Sequence, residues 1–257
     1  MLGHKQKPGP RKLSWWKWVL IAWHFGRAGW VVGVRFPRLA KAQRQAEIRE
    51  WSVRMLRALD VEVQCPSPPP ADFAGLVVSN HLSWMDILVL QAILPGTFVA
   101  KTEVRSWPVV GSLAQACGTI FVNRSSPRSA RAMVDHTVSA IAQGQAVIVF
   151  PEGTSTNGDD LAPFHANIFE SAVRSEGQVQ LLTLRYRDKA TGELARGVHF
   201  TGTMSLLDSL RTITRLPATH AVVHIGDRVP ATGHTRKSLS EHAYGTMRAQ
   251  LLATARP

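Results

Sequence analysis

The chain is poor in several residues and motifs that mark common classes of protein. It has two cysteines, Cys65 and Cys117, which lie far apart and form no C-x-x-C pair. Two thiols cannot build a disulfide framework, which favours a reducing compartment and leaves one bridge open. The ten histidines include no H-E-x-x-H, so we expect no metal site. The G-x-S-x-G of serine hydrolases and the G-x-x-x-x-G-K-[ST] of nucleotide-binding loops are also missing.

The sequence also lacks an uninterrupted apolar run long enough to cross a bilayer. In residues 18–36 the run is broken by Arg27, and nine residues precede that arginine. A spanning helix needs about 20 apolar residues, and a central arginine costs roughly 2.5–3.5 kcal/mol on insertion. No small-residue cleavage site of a secretory signal follows. We therefore expect this helix to lie in one leaflet, the alternative being a helix packed on the protein's own core.

Acidic residues are scarce at the N-terminal end, where most of the net charge of +12 is located. Residues 1–60 contain thirteen of the thirty Lys and Arg residues, against three acidic ones. Six of the eight tryptophans also fall in this segment: Trp15, Trp16, Trp18, Trp23, Trp30 and Trp51. Basic residues interleaved with tryptophan are typical of the lipid headgroup region. Because no nucleic-acid recognition module accompanies them, we predict an anionic membrane surface as the partner, at the cytoplasmic face of the cell membrane, and no nucleic acid.

The remaining pattern predicts an α/β fold with a mixed, largely parallel sheet flanked by helices. Two basic, membrane-associating helices are expected over residues 13–34 and 38–59, with the chain breaking at Pro37. The proline-rich turn at residues 66–70 divides the chain into this N-terminal appendage, 1–65, and a core, 66–257. Strands are predicted at 75–79, 97–101, 119–122, 146–150, 179–186 and 219–225. Helices are predicted at 84–93, 107–114, 127–143, 168–175 and 204–212, with a last one from about residue 237. This alternation is typical of a parallel α/β sheet whose site lies at the loops that leave the strands.

A histidine and an aspartate lie where the first strand of the core gives way to a helix. The stretch from Ser79 reads S-N-H-L-S-W-M-D, and it places His81 in the loop and Asp86 in the first helical turn. A carboxylate at that position can bond one imidazole nitrogen, fix the tautomer and stabilise the imidazolium that forms on protonation. The spacing alone is common, and a helix-capping carboxylate beside a surface histidine is its simpler interpretation.

Two further blocks, in order along the chain, strengthen the catalytic interpretation. Residues 118–124 read G-T-I-F-V-N-R and end on Arg124, and residues 147–155 read V-I-V-F-P-E-G-T-S. Together with N-H-L-S-W-M-D, these blocks resemble the motifs of the glycerolipid acyltransferase family that includes the 1-acylglycerol-3-phosphate acyltransferases. The resemblance covers about residues 76–186, with a weaker similarity at 200–205.

The resemblance implies a transfer of a fatty acyl group from a thioester to the free hydroxyl of lysophosphatidate. His81 would be the general base, Asp86 its orienting carboxylate, and Arg124 the ligand of the acceptor's phosphate. Substrate contacts are also expected from Lys101, as a second cation, from Glu152 and Gly153 at the acceptor's glycerol part, and from Thr154. The family needs no cofactor or metal, since acyl-CoA or acyl carrier protein supplies the thioester as co-substrate.

The family's fourth block is usually an apolar strand that contains proline, and this chain departs from it. Residues 179–186 read V-Q-L-L-T-L-R-Y, without a proline. That block is associated with the acyl donor, so the departure leaves the donor open. Two alternatives also stay open at this point: the acceptor is a lyso-ornithine lipid or another lysophospholipid, or the chain is a non-catalytic membrane-binding relative.

Overall fold

A computed structural model describes residues 15–107, 109–123 and 126–254. The helices in this part of the chain are α1 (Trp15–Trp30), α2 (Lys41–Ala58), α3 (Met85–Ile93), α4 (Val110–Ala116), α5 (Pro127–Ala142), α6 (Glu170–Arg174), α7 (Leu206–Ile213) and α8 (Arg236–Ala253). The strands are β1 (Val61–Gln64), β2 (Gly75–Ser79), β3 (Thr97–Lys101), β4 (Ile120–Val122), β5 (Ala146–Val149), β6 (Gln178–Asp188) and β7 (Thr219–Pro230). Short 3-10 turns at Thr102–Ser106, Ala166–Phe169 and Arg196–Val198 connect them.

The seven strands form one mixed sheet, which confirms the predicted fold class. Their order is β1-β7-β6-β2-β5-β3-β4. Every neighbouring pair is parallel except β6 and β7, which are antiparallel. Because β6, β2, β5, β3 and β4 run the same way, their carboxyl ends meet at one edge of the sheet. That edge is where a parallel α/β sheet presents its functional loops.

Apolar side chains alternate along the central strands and build a core on each face of the sheet. On β2, Val77 packs with α2 and α3 on one face, while Leu76 and Val78 pack with α5 and α8 on the other. All five residues of β2 and all four of β5 are buried. Strands covered on both faces read as continuous apolar runs, which is why these two were predicted from the sequence.

The two N-terminal helices are present and contribute to the apolar core on one face of the sheet. Ile21 of α1 and Met55 of α2 belong to the same apolar core as Val77. The Lys17 ammonium lies 2.6 Å from Oδ2 of Asp60 and ties α1 to the turn before β1. The strand β1 was not predicted from the sequence; it lies within residues 1–65 and pairs with β7 in the sheet.

The first helix does not stop abruptly at its proline. It continues from Trp30 through a π-helical turn, Val31–Arg35, and a 3-10 turn, Phe36–Arg38, before the chain extends at Leu39. Proline is tolerated there because it occupies an early position of the new turn. Among residues 15–107, 109–123 and 126–254, no helix combines the length and apolarity required to cross a membrane. The outer face of the first helix exposes large apolar side chains: Trp15, Trp16, Val19, Trp23, Trp30 and Val34.

Candidate active site

The loop that follows β2 is held by backbone hydrogen bonds to two other loops. The amide of Thr156 donates to the carbonyl of His81 at 2.9 Å, and the amide of Phe200 donates to the carbonyl of Leu82 at 2.8 Å. The His81 amide in turn donates to Oε1 of Glu152 at 2.8 Å. These bonds restrain the loop that carries His81.

His81 and Asp86 form the hydrogen-bonded pair that their spacing predicts. Nδ1 of His81 lies 2.7 Å from Oδ2 of Asp86. The same oxygen accepts the amide hydrogens of Leu82 at 2.6 Å and Ser83 at 2.9 Å. Asp86 is fully buried, whereas 20% of the His81 side chain is exposed. Since a carboxylate accepts, Nδ1 carries the hydrogen, and Nε2 is left with the lone pair that can take a proton.

The imidazole of His81 is also fixed by an aromatic neighbour at the end of β5. The ring of Phe150 stacks on it with centroids 4.1 Å apart and an angle of 13° between the planes. Phe98 of β3 packs behind Phe150, with centroids 6.0 Å apart. The imidazole is therefore restrained by stacking on one face and by the carboxylate at Nδ1.

Glu152 supports the histidine loop from the turn after β5. Its Oε1 accepts the His81 amide, and its Oε2 accepts the amide of Ala162 at 2.8 Å. Burial raises the pKa of Glu152 to about 7, although both backbone hydrogen bonds favour the charged form. The turn is closed by the Gly153 amide, which donates to the carbonyl of Phe150 at 3.0 Å. Gly153 has φ of +73°, a left-handed conformation that glycine adopts without strain.

The structure brings three of the sequence-predicted residues into direct contact, namely His81, Asp86 and Glu152. Gly153 is buried beside them in the turn, and Thr154 is exposed directly after it. Lys101 is exposed at the carboxyl end of β3, on the edge of the sheet where β2 and β5 also end. Arg124 lies outside the described residues. The substrate contacts proposed for these side chains stay predictions.

Two buried polar residues of the site were not singled out from the sequence. The side chain of Asn80 pairs with the backbone of Leu184 in β6, through hydrogen bonds of 3.0 Å and 2.7 Å. The phenol of Tyr186 donates to Oδ1 of Asp86 at 2.8 Å. Alternation along β6 places Tyr186 on the same face as Leu182 and Leu184, the face that α3 covers. This alternation could have identified Tyr186 from the sequence, because it places the tyrosine on the sheet face that α3 covers.

A mostly apolar cavity of about 180 Å³ lies next to the site. Phe150, which stacks on His81, is part of its wall. The other lining residues come from β3, β4, α5, β5 and the segment before α6: Val99, Val122, Ala130, Met133, Val149, Pro151, His165, Asn167 and Ile168. The ring of Phe150 therefore separates the cavity from His81.

Histidines, cysteines and carboxylates are otherwise dispersed. In the part of the chain that the structure describes, no three of them are grouped as metal ligands. Cys65 and Cys117 are both free thiols. Burial raises the pKa of Cys117 to about 12.

Comparison with known proteins places this site in a family. The family model described as Acyltransferase matches residues 60–187. The lyso-ornithine lipid O-acyltransferase of Pseudomonas aeruginosa is 34% identical over 240 residues, which are 93% of this chain and 92% of that protein. The 1-acyl-sn-glycerol-3-phosphate acyltransferase of Neisseria meningitidis serogroup B is 37% identical over 154 residues, 60% of each chain.

A solved structure has the same fold. The crystal structure of the 1-acyl-sn-glycerophosphate acyltransferase PlsC from Thermotoga maritima matches with a TM-score of 0.66 and 21% identity, over 93% of this chain and 97% of that one. The family match spans the His81 and Glu152 loops, and the Pseudomonas relative extends the likeness over nearly the whole chain. This chain therefore belongs to the acyltransferase family, as an O-acyltransferase of the glycerolipid and lysolipid type.

Proposed function

We propose that this protein transfers a fatty acyl group from a thioester to the free hydroxyl of lysophosphatidate and so forms phosphatidate. The observation that carries the proposal is the bond of 2.7 Å between Nδ1 of His81 and Oδ2 of Asp86, in a loop fixed on several sides. This pair supplies a base with a defined free nitrogen and a buried negative charge behind it.

The reaction needs one proton transfer in each direction. Nε2 of His81 takes the proton of the acceptor hydroxyl while its oxygen attacks the carbonyl carbon of the thioester. The tetrahedral intermediate then collapses, the carbon–sulfur bond breaks, and the imidazolium returns the proton to the departing thiolate. Asp86 stabilises the imidazolium between these steps. No acyl-enzyme forms in this sequence, because the acceptor oxygen attacks the thioester directly.

The donor is proposed to be acyl-CoA or acyl carrier protein, and neither a cofactor nor a metal takes part in the steps above. The cavity beside Phe150 supports a place for the fatty chain, since eight of its ten lining residues are apolar and Phe150 stacks on His81. An acyl chain in this cavity would leave water and bring its carbonyl end towards the imidazole.

The acceptor's phosphate is proposed to bind Arg124, with Lys101 as a second cation. A guanidinium suits this task because it forms paired, charge-assisted hydrogen bonds with phosphate oxygens. A second candidate acceptor, a lyso-ornithine lipid, is favoured by a specific observation: the relative matched over nearly the whole chain carries that substrate in its name. Both acceptors offer a free hydroxyl, so both fit the same base.

The enzyme is proposed to work on an anionic membrane surface at the cytoplasmic face of the membrane. The exposed face of α1 supports this, since it carries Trp15, Trp16, Trp23 and Trp30, each more than half exposed. The opposite face of α1 packs on the protein and includes Ile21 and the ion-paired Lys17. Indoles exposed along one face of a helix favour insertion to headgroup depth.

The proposal is tested by acyl transfer in detergent micelles with purified wild-type protein and His81→Ala. Both thioester donors are combined with both acceptors, and thiol release is recorded together with the acylated lipid. Thermal unfolding of the two proteins establishes that the variant is folded. The proposal requires phosphatidate formation that disappears with His81. Activity confined to lyso-ornithine lipid would replace the acceptor, and activity that survives in a folded His81→Ala would overturn the mechanism.

A further inference from the structure

The two oxygens of the Asp86 carboxylate have different surroundings. Oδ2 accepts three hydrogens, from Nδ1 of His81 and from the amides of Leu82 and Ser83. Oδ1 accepts from the phenol of Tyr186, at 2.8 Å. Among the described residues, no second donor to Oδ1 is found. One end of the carboxylate is thus held by the catalytic loop and the other by the sheet.

Tyr186 is a fixed anchor for that second end. It lies in the long strand β6, where it pairs in register with Ala221 of β7, and it is fully buried. Burial and the neighbouring charge of Asp86 hold the pKa of Tyr186 well above its usual range. The phenol therefore keeps its hydrogen, and it remains a donor throughout the pH range in which an imidazole base works.

We propose that Tyr186 is a positioning residue of the acyl transfer, acting through the Asp86 carboxylate. Rotation of the carboxylate about its Cβ–Cγ bond would break the bonds at Oδ2, and the phenol adds a fourth bond, at Oδ1, that opposes the same rotation. The phenol therefore keeps Oδ2 aimed at Nδ1 of His81. By donating to Oδ1 it also draws negative charge away from Oδ2 and limits how strongly the pair favours the imidazolium. This inference rests on the proposed base catalysis by His81.

Other ionisable groups lie near Asp86, so a test of Tyr186 must leave those groups unchanged. Among the described residues, Glu152, from the turn after β5, and His199, from the segment before α7, also interact electrostatically with this carboxylate. Replacing Tyr186 by phenylalanine removes one hydroxyl and leaves these groups in place. A tyrosine that served only to fill the core would be replaced by phenylalanine without kinetic consequence.

The chain provides a matched control, because it contains one other tyrosine. The hydroxyl of Tyr244, on α8, donates to the carbonyl of Leu161 at 3.3 Å, and in the described part of the chain it makes no hydrogen bond to His81 or Asp86. We expect Tyr186→Phe to lower kcat by about tenfold or more, the size of a lost hydrogen bond to a charged group, with KM values unchanged. The acidic limb of the kcat/KM profile should move to higher pH, because more charge then remains on Oδ2. Tyr244→Phe should change neither quantity.

A double-mutant cycle establishes whether Tyr186 acts through Asp86. If it does, Tyr186→Phe should have little further effect in an Asp86→Asn background. A folded Tyr186→Phe with wild-type kcat and an unmoved pH profile would overturn the inference, as would full additivity in the cycle. Absence of activity in the wild-type protein would instead overturn the proposed function.

Biosynthetic fluorotyrosine provides a second, nearly isosteric variant in case the phenylalanine does not fold. Incorporated into the Tyr244→Phe protein, 3-fluorotyrosine occupies position 186 alone. Its more acidic phenol is a stronger donor to Oδ1, so the acidic limb should move to lower pH, opposite to the effect of phenylalanine. An unshifted limb would contradict the proposed role.

Discussion

Nδ1 of His81 lies 2.7 Å from a carboxylate oxygen of Asp86 that also accepts two backbone amide hydrogens. The loop amides are organised around the same oxygen that serves the imidazole, so loop conformation and base orientation depend on one group. Asp86→Asn should therefore keep the fold, because a side-chain carbonyl oxygen still caps the loop. It should lower kcat by about 100-fold or more, because the charge behind the imidazolium is lost.

Turnover and thermal unfolding of Asp86→Asn should be measured on the same preparation. The exposed Asp208→Asn, at the start of α7, is a matched control that should retain wild-type turnover. Near-wild-type activity of a folded Asp86→Asn would refute the His81–Asp86 pair as the base.

The buried carboxyl of Glu152 predicts a pH dependence of stability. Its usual pKa of 4.5 applies to the unfolded chain, and burial raises the folded value to about 7. Between these values the folded state binds the extra proton, so this group stabilises the fold at low pH and the effect is lost as pH rises towards about 7. The corresponding loss is on the order of 3 kcal/mol in the free energy of unfolding.

Glu152→Gln isolates this contribution, since an amide does not titrate. The free energy of unfolding should be measured by urea denaturation at pH 5 and pH 8 for both proteins. We expect the wild type to lose more stability than the variant between the two pH values. Equal losses would show that Glu152 ionises alike in the folded and unfolded states.

The sequence predicted those features that follow from local patterns. The buried strands β2 and β5 are uninterrupted apolar runs, and the loops that leave them carry His81 and Glu152. The hydrogen bond between His81 and Asp86 could also be predicted, because the two residues are five positions apart at a strand-to-helix junction. The strand β1 was missed because its four residues follow a helix directly and gain their partner only in β7.

Contacts between residues far apart in the chain could not be predicted from local sequence patterns. The bond between Tyr186 and Asp86 joins residues 100 positions apart, and the bond between Glu152 and the His81 amide spans 71. The motif pattern assigned Glu152 to the substrate, whereas both of its oxygens have backbone partners in the structure. Only the sheet order, which brings β5 and β6 to either side of β2, reveals these pairs.

The cavity beside Phe150 predicts how the choice of acyl chain can be altered. Ala130 of α5 lines it with a small side chain, so Ala130→Leu adds three carbons to the wall. We expect the preferred acyl chain to shorten by roughly two to four carbons, because a filled wall excludes the end of a longer chain. Competing acyl thioesters of graded length, followed by product analysis, measure this. Met133→Leu is the control, because the two side chains are nearly equal in volume and the chain-length preference should stay unchanged. If Ala130→Leu also kept the wild-type preference, the acyl chain would bind outside this cavity.

The exposed indoles of α1 predict a loss of membrane binding without a loss of fold. Trp16 and Trp23 are 52% and 56% exposed and belong to neither apolar core, so alanine at both positions leaves the two cores intact. Each indole that leaves water should strengthen binding by about tenfold or more. Sedimentation with vesicles containing phosphatidylglycerol should therefore show a large drop for the double variant. Leu252→Ala, a change at an exposed apolar residue of α8, is the control, and unchanged binding of the tryptophan variant would place the membrane contact on another surface.

The role proposed for Arg124 predicts that its loss affects the two candidate acceptors differently. If it binds a phosphate, Arg124→Ala removes paired charge-assisted hydrogen bonds, and kcat/KM for lysophosphatidate should fall by about 100-fold. Turnover of lyso-ornithine lipid, which has no phosphate, should stay within about twofold. The two acceptors are compared with one donor in the same micelles, and Arg236→Ala, at the start of α8, controls for the loss of a surface cation. An equal fall for both acceptors would show that Arg124 does not read the phosphate, and no fall for either would remove it from the acceptor site.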